Sequence, residues 1–343
     1  MATESGRPWR GALDRAVTAL TGEGWRFDPV GAGARVVPIV GLLAAGEARG
    51  AMLPWILAAG GAFTVGFGAE LDLRGSALVF LVAGSLAIGA SAIAGSIAAA
   101  HDFGAVGVAA VLAILCGLEA SRGAGRAWIA LHCGIAGVIA TSYPASWGLA
   151  SERALVIVAG GLCQAAALLV ARTAGHRFAS PTEADPESPR AILDLALGMT
   201  AAMAFARALS LPNGYWAPMT TLLVLRPGRR RTFSRALART VGTLGGAALA
   251  SAAIVGARPG HGALVVLVGL AAFGTYLFQK ATYGTLSAFV TLYVVFVLSL
   301  GGLSEERVAV ARIFSTALGA GIGLVVQLAD ALVAARFVAA RRA

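Results

Sequence analysis

Charge is scarce in this sequence. Only 13% of its 343 residues are Asp, Glu, Lys or Arg, against about 25% in an ordinary soluble domain, which argues against a water-exposed globule. The three cysteines, Cys116, Cys133 and Cys163, all fall in apolar runs, where they serve as small packing residues and imply no disulfide framework. The four histidines, His101, His132, His176 and His261, are scattered. His132 and its neighbour Cys133 point to different helix faces, so metal-ligand spacing is lacking. There is no Walker A loop, nucleophile elbow, HExxH motif or pair of carboxylates on one helix face. These absences argue against primary ATP-driven transport in this chain and against enzyme chemistry, and no cofactor is expected. A signal-peptide pattern is also missing, since the first apolar run begins only near residue 33 and no cleavage site follows a short apolar stretch.

What the chain does have is apolar sequence: 58% hydrophobic residues and a mean hydropathy of +0.79. Repeated runs of about 20 such residues can each cross a hydrocarbon core of roughly 30 Å. Runs near 33–48, 51–69, 76–100, 104–120, 127–143 and 153–171 precede a polar, proline-containing linker, "TAGHRFASPTEADPESPR", at 173–190. Six more follow, near 191–211, 214–225, 236–256, 262–278, 285–303 and 308–335. One offset of 158 residues lays the second set on the first, so that 33 falls on 191, 104 on 262 and 127 on 285. The expected fold is an all-α polytopic membrane protein with about 12 transmembrane helices in two parallel six-helix repeats, as many secondary transporters have. Its divisions are a cytoplasmic or interfacial segment (1–32), a first repeat (33–172), a cytoplasmic linker (173–190), a second repeat (191–337) and a tail (338–343). Leu13, Val17 and Leu20 share a face in the first segment, which suits a helix lying in the membrane interface or a plain solvated one.

The net charge of +10 is a topology signal rather than a sign of nucleic acid. With the amino terminus in the cytoplasm, all 27 Lys and Arg residues fall on the cytoplasmic side except Arg49, Arg153, Arg207, Arg258, Arg307 and Arg312, the bias of the positive-inside rule. The expected topology is thus a membrane crossed many times, with both termini cytoplasmic.

Ionisable groups in or near the spans carry more information, because each is costly in lipid and faces a cavity, a partner or a span end. They are Glu47, Glu119, Asp194, Arg207, Arg239, Arg312 and Asp330. Arg239 and Arg312 lie a full turn inside their runs and precede small-residue stretches, "TVGTLGGAALA" and "IFSTALGAGIG". In the twelve-span topology they approach opposite mouths, attracting anions at the two ends of a path. The run "YWAPMTTLLVL" rises only about 16 Å as a helix, half the hydrocarbon thickness. Either its neighbours support this short helix, or Arg226 and Pro227 floor a water-filled vestibule ringed by Arg226, Arg229, Arg230 and Arg231, which would concentrate anions. Tyr215, Trp216 and Thr220 could offer an aromatic wall and a hydroxyl to an aromatic carboxylate, or the two rings could belong to an interfacial belt.

"YWAPMTTLLVLRP" followed by "RALARTVGTLGGAALA" resembles the fusaric acid resistance (FUSC-like) family, with Arg239, Gly242 and Thr243 in its Arg-x-x-Gly-Thr signature. "ARIFSTALGAGIGL", with Arg312, Thr316 and Gly319, is similar to the family's closing helix. The specific motifs cover roughly 191–335, and the matching first-half positions hold Leu81 and Ala154 instead of the two arginines. The resemblance implies an inner-membrane exporter of aromatic carboxylic acids, some of whose relatives work with a periplasmic adaptor protein. Plant malate channels of related architecture conduct organic anions as dimers. This chain departs from the larger exporters in having no sizeable cytoplasmic domain between its halves.

The functional expectation is a transporter exporting organic anions, aromatic carboxylic acids above all, driven by the proton gradient or the membrane potential. Its substrate path would include Tyr215, Trp216, Thr220, Arg226, Arg239, Thr243 and Arg312, with Asp194 or Glu119 coupling protons. An anion channel would need only the arginine-lined path. A non-transporting scaffold would use its arginines on anionic lipid headgroups. Expected partners are the small anion, membrane lipid, a second copy of the chain and a periplasmic adaptor, with no metal or nucleic acid.

Overall fold

The computed structural model describes residues 27–70, 77–178 and 188–340, and every regular element among them is helical. Helices α1 (Pro29–Arg49), α2 (Met52–Gly66, extended by a 3-10 turn over Phe67–Glu70), α3 (Ala77–Ala98), α4 (Asp102–Ala120), α5 (Ala124–Ala140) and α6 (Trp147–Thr173) come first. Helices α7 (Pro189–Ala208), α8 (Trp216–Val224), α9 (Arg229–Ala257), α10 (His261–Leu277), α11 (Tyr283–Leu300) and α12 (Glu305–Ala340) follow. Among the described residues nine helices are long and apolar enough to cross a membrane. Helices α5 and α10 have 17 residues each and α8 has nine. The chain is a multi-pass helical membrane protein. The expected interfacial helix near the amino end and half of the linker, 179–187, lie outside the described residues.

Local chemistry sets the helix ends. The Asp28 side chain accepts the Gly31 N–H at 2.8 Å and Pro29 stands at the first helical position, so α1 starts earlier than its apolar run. At 21 residues, α1 rises about 31 Å, enough to span. Gly228, at φ 95°, turns the chain directly into α9, so Arg229, Arg230 and Arg231 form its first turn and not a loop. Helix α8 stops because Leu225 is extended (ψ 123°) and the residue before Pro227 is barred from the helical region.

Small residues bring the helices together. Buried faces carry Ala, Gly, Ser and Thr, while Val37, Phe103, Leu155 and Phe314 point outward toward the surrounding apolar phase. Helix α2 packs against α6, α3 against α5 and α6, and α4 against α5. The same pairings recur as α8 with α12, α9 with α11 and α12, and α10 with α11. Helices α4, α5 and α6 begin at 102, 124 and 147, and α10, α11 and α12 begin 158 or 159 residues later at 261, 283 and 305. Even the tightest contacts correspond: a Cβ on Gly160 would collide with the Ala58 carbonyl, and one on Gly319 with the Ala217 carbonyl. Between the halves, α4 packs on α7 and α10 on α1. Each junction carries an acid–base contact at corresponding helix ends, Asp102 with Arg207 at 3.5 Å and Glu47 with His261 at 3.6 Å, acid and base exchanged.

Gly319→Leu would force α8 and α12 apart and should destabilise the detergent-solubilised protein by about 1–3 kcal/mol, the usual scale of overpacking. Gly321→Leu, where a side chain meets open space, should leave the unfolding midpoint unchanged. Equal midpoints for the two variants would contradict the close α8–α12 crossing.

Candidate functional site

Two guanidiniums are buried where α8, α9, α11 and α12 meet. Arg312 on α12 is 0% exposed and Arg239 on α9 is 3% exposed. The Arg312 Nη2 donates to the Thr291 hydroxyl on α11 at 2.9 Å, and its guanidinium carbon lies 4.1 Å from the centre of the Trp216 ring on α8. Arg239 donates through Nη1 to the Tyr283 hydroxyl on α11 at 3.4 Å. The two cations are close enough to repel each other, and the Tyr283 phenol lies near both. The expectation of one arginine at each mouth is therefore corrected: α9 and α12 are long and pack together, and their arginines reach a common centre.

What this centre lacks among the described residues is negative charge. Nε and Nη2 of Arg239, and Nε and Nη1 of Arg312, are buried without a hydrogen-bond partner. The hydroxyls of Thr243, one turn beyond Arg239, and of Ser287 and Ser315 are buried and equally unpaired. Among the described residues neither arginine pairs with a carboxylate, although other arginines do, as in Arg122 with Glu119 and Arg190 with Asp330. Desolvating an ion costs about several kcal/mol, normally offset by an opposite charge and further hydrogen bonds. Here the cation–π contact and two hydroxyls supply only part of that. Positive charge and unfilled donors together make a centre suited to an anion.

The sequence-flagged residues divide around it. Trp216, Arg239, Thr243 and Arg312 come together. Tyr215 is buried against Trp216, with ring centroids 4.6 Å apart. Thr220 is buried and unpaired on the face of α8 that meets Gly319 of α12. Arg226 is engaged elsewhere, donating to the Leu225 carbonyl at 2.7 Å and the Leu222 carbonyl at 3.4 Å, while Arg235 donates to the Leu223 carbonyl at 3.2 Å. Both cations close the carboxyl end of α8, where unpaired carbonyls concentrate negative potential. Arg229, Arg230 and Arg231 are exposed beyond it. Asp194 is buried on α7 and accepts from Gln327 of α12 at 3.1 Å, beside the Arg190–Asp330 pair. Glu119 sits at the end of α4, paired with Arg122 and, at 3.6 Å, with Arg126. No group of His, Cys, Asp and Glu able to hold a metal occurs among the described residues.

Tyr283, Ser287 and Thr291 escaped the sequence reading. Their spacing of four puts them on one face of α11, and that stripe of hydroxyls in an apolar run was the available signal.

Residues 201–326, which contain the whole centre and make up little more than a third of the chain, match the family model described as fusaric acid resistance protein-like. A stretch of 125 residues is 31% identical to the uncharacterized protein YhfK of Escherichia coli (strain K12), covering 36% of this chain and 18% of the relative. The chain thus matches less than a fifth of that relative's length. No solved structure matches.

A buried arginine with two of its three nitrogens unpaired destabilises the empty protein. Arg312→Met should raise the unfolding midpoint measured without added organic anion, by about 1–4 kcal/mol of stability, as when buried ions give way to apolar side chains. Arg35→Met should lower it, since Arg35 donates to Gln279 at 2.7 Å and to the Gly31 carbonyl at 3.0 Å. Destabilisation by Arg312→Met as large as that by Arg35→Met would show the Arg312 charge already compensated.

Proposed function

Because residues 201–326 match the fusaric acid resistance protein-like family model, we propose that the chain is an inner-membrane transporter that exports organic anions, in particular aromatic carboxylic acids. The observation that carries this reading is the pair of buried guanidiniums with open donors and, among the described residues, no carboxylate partner. Trp216, already stacked on Arg312, and the adjacent Tyr215 give an aromatic substrate an apolar wall. Twelve spans in two parallel repeats, with both termini cytoplasmic, form the proposed topology. Support for it comes from the recurring helix pairings and the offset of 158 or 159 residues between corresponding helices. Helix α8, too short to span alone, is enclosed by its partners α7 and α12.

Export of an anion from a negative interior gains about 2.3 kcal/mol per charge per 100 mV, so potential alone can drive the cycle. If protons are coupled, the buried Asp194 suits that role better than Glu119, whose charge is met by two arginines. A channel would share the same centre. A homodimer and a periplasmic adaptor belong to this proposal as partners. The scaffold alternative loses ground, because lipid binding at the surface gives no reason to bury Arg239 and Arg312.

Efflux of labelled 4-hydroxybenzoate from proteoliposomes separates these readings. Wild-type protein should release it under a potassium-set potential or a pH gradient. Arg239→Gln and Arg312→Gln, inserted normally, should each slow release by at least tenfold, equivalent to about 1.4 kcal/mol. Dependence on the pH gradient that vanishes in Asp194→Asn would identify a proton-coupled carrier, and dependence on voltage alone a uniporter or channel. Unchanged efflux with both arginines replaced would remove them from the path.

A further inference from the structure

Resting on the reading of Arg239 and Arg312 as an anion centre, we infer that its ligand is an organic dianion, with a planar carboxylate held by Arg239 and a second negative charge neutralising Arg312. The reason is charge balance. Two guanidiniums share the centre, and the acids flagged in the spans are committed elsewhere: Asp194 to Gln327, Asp330 to Arg190, and Glu119 to Arg122 and Arg126. A monoanion leaves one buried cation uncompensated where water does not screen it, whereas a dianion leaves none.

Hydrogen-bond geometry points the same way. Tyr283 occupies Nη1 of Arg239, which leaves Nε and Nη2 open. Those two nitrogens form a single edge of the guanidinium, the fork that takes a carboxylate with two parallel bonds. On Arg312, Trp216 covers one face and Thr291 occupies Nη2, so Nε and Nη1, which lie on different edges of the guanidinium, remain open to separate acceptor atoms. Thr291 adds no further donor, because its own hydroxyl proton goes to the Ser287 carbonyl at 2.8 Å. The unpaired Thr243, Ser287 and Ser315 hydroxyls can donate to the remaining anion oxygens.

Terephthalate and its monoamide, 4-carbamoylbenzoate, have nearly the same shape and differ by one charge at neutral pH. Calorimetric titration of each into the full chain in nanodiscs should give terephthalate an affinity at least tenfold higher. Arg239→Lys should retain a preference, because the charge remains, and Arg239→Gln should reduce the ratio to below threefold. Equal affinities for the two ligands in the wild type would overturn the dianion while leaving the anion centre in place. Binding of neither would overturn the centre and the dianion together.

Discussion

Two like charges held out of water, with no counterion among the described residues, are the constraint on which the rest of this structure depends. Burial of a cation is tolerated when a carboxylate or a set of carbonyls takes over from water. Arg35 satisfies that condition with Gln279 and a backbone carbonyl, and the ring of Tyr276 lies 4.8 Å from its guanidinium carbon. Arg239 and Arg312 do not. One neutral hydroxyl accepts from each, which leaves the positive charge of the centre unbalanced. Stability sacrificed at such a point is a common mark of a binding site, where local rules are broken for function.

Holding that centre in place falls to small residues. Gly242 and Gly246 bring α9 so near α11 that a Cβ on either would collide with the Gly284 or Ala288 carbonyl, and Gly319 does the same between α12 and α8. These close crossings fix the backbones from which the two arginines project. Long helices then matter for a second reason: α9 and α12 have 29 and 36 residues. An arginine well inside such a helix has no short route to either end, and its side chain turns inward.

Much of this was legible in the sequence. Apolar runs located the helices, the linker separated two sets of six, and Arg239 and Arg312 stood out because charge is rare in such runs. The short α8 was readable from Pro227 and the length of its run. What sequence did not reveal was depth and orientation. Position along a helix suggested opposite mouths for the two arginines, but a guanidinium reaches about a turn from its own Cα and goes where the neighbouring helix lets it. Arg226 looked equivalent to Arg239 in a list of charges, yet it folds back on the carbonyls that end α8. The hydroxyl face of α11 was hidden because Ser and Thr in a membrane helix commonly bond their own backbone.

The central claim is that an organic anion binds at Arg312 and Arg239. It is tested most directly by the unfolding midpoint of the nanodisc-reconstituted chain with and without saturating 4-hydroxybenzoate, since a ligand that binds only the folded state stabilises it by about 2.7 kcal/mol at a hundred times its dissociation constant. A rise in the wild type that disappears in Arg312→Gln is the predicted result. The same rise in both proteins would place the anion elsewhere and contradict the assignment.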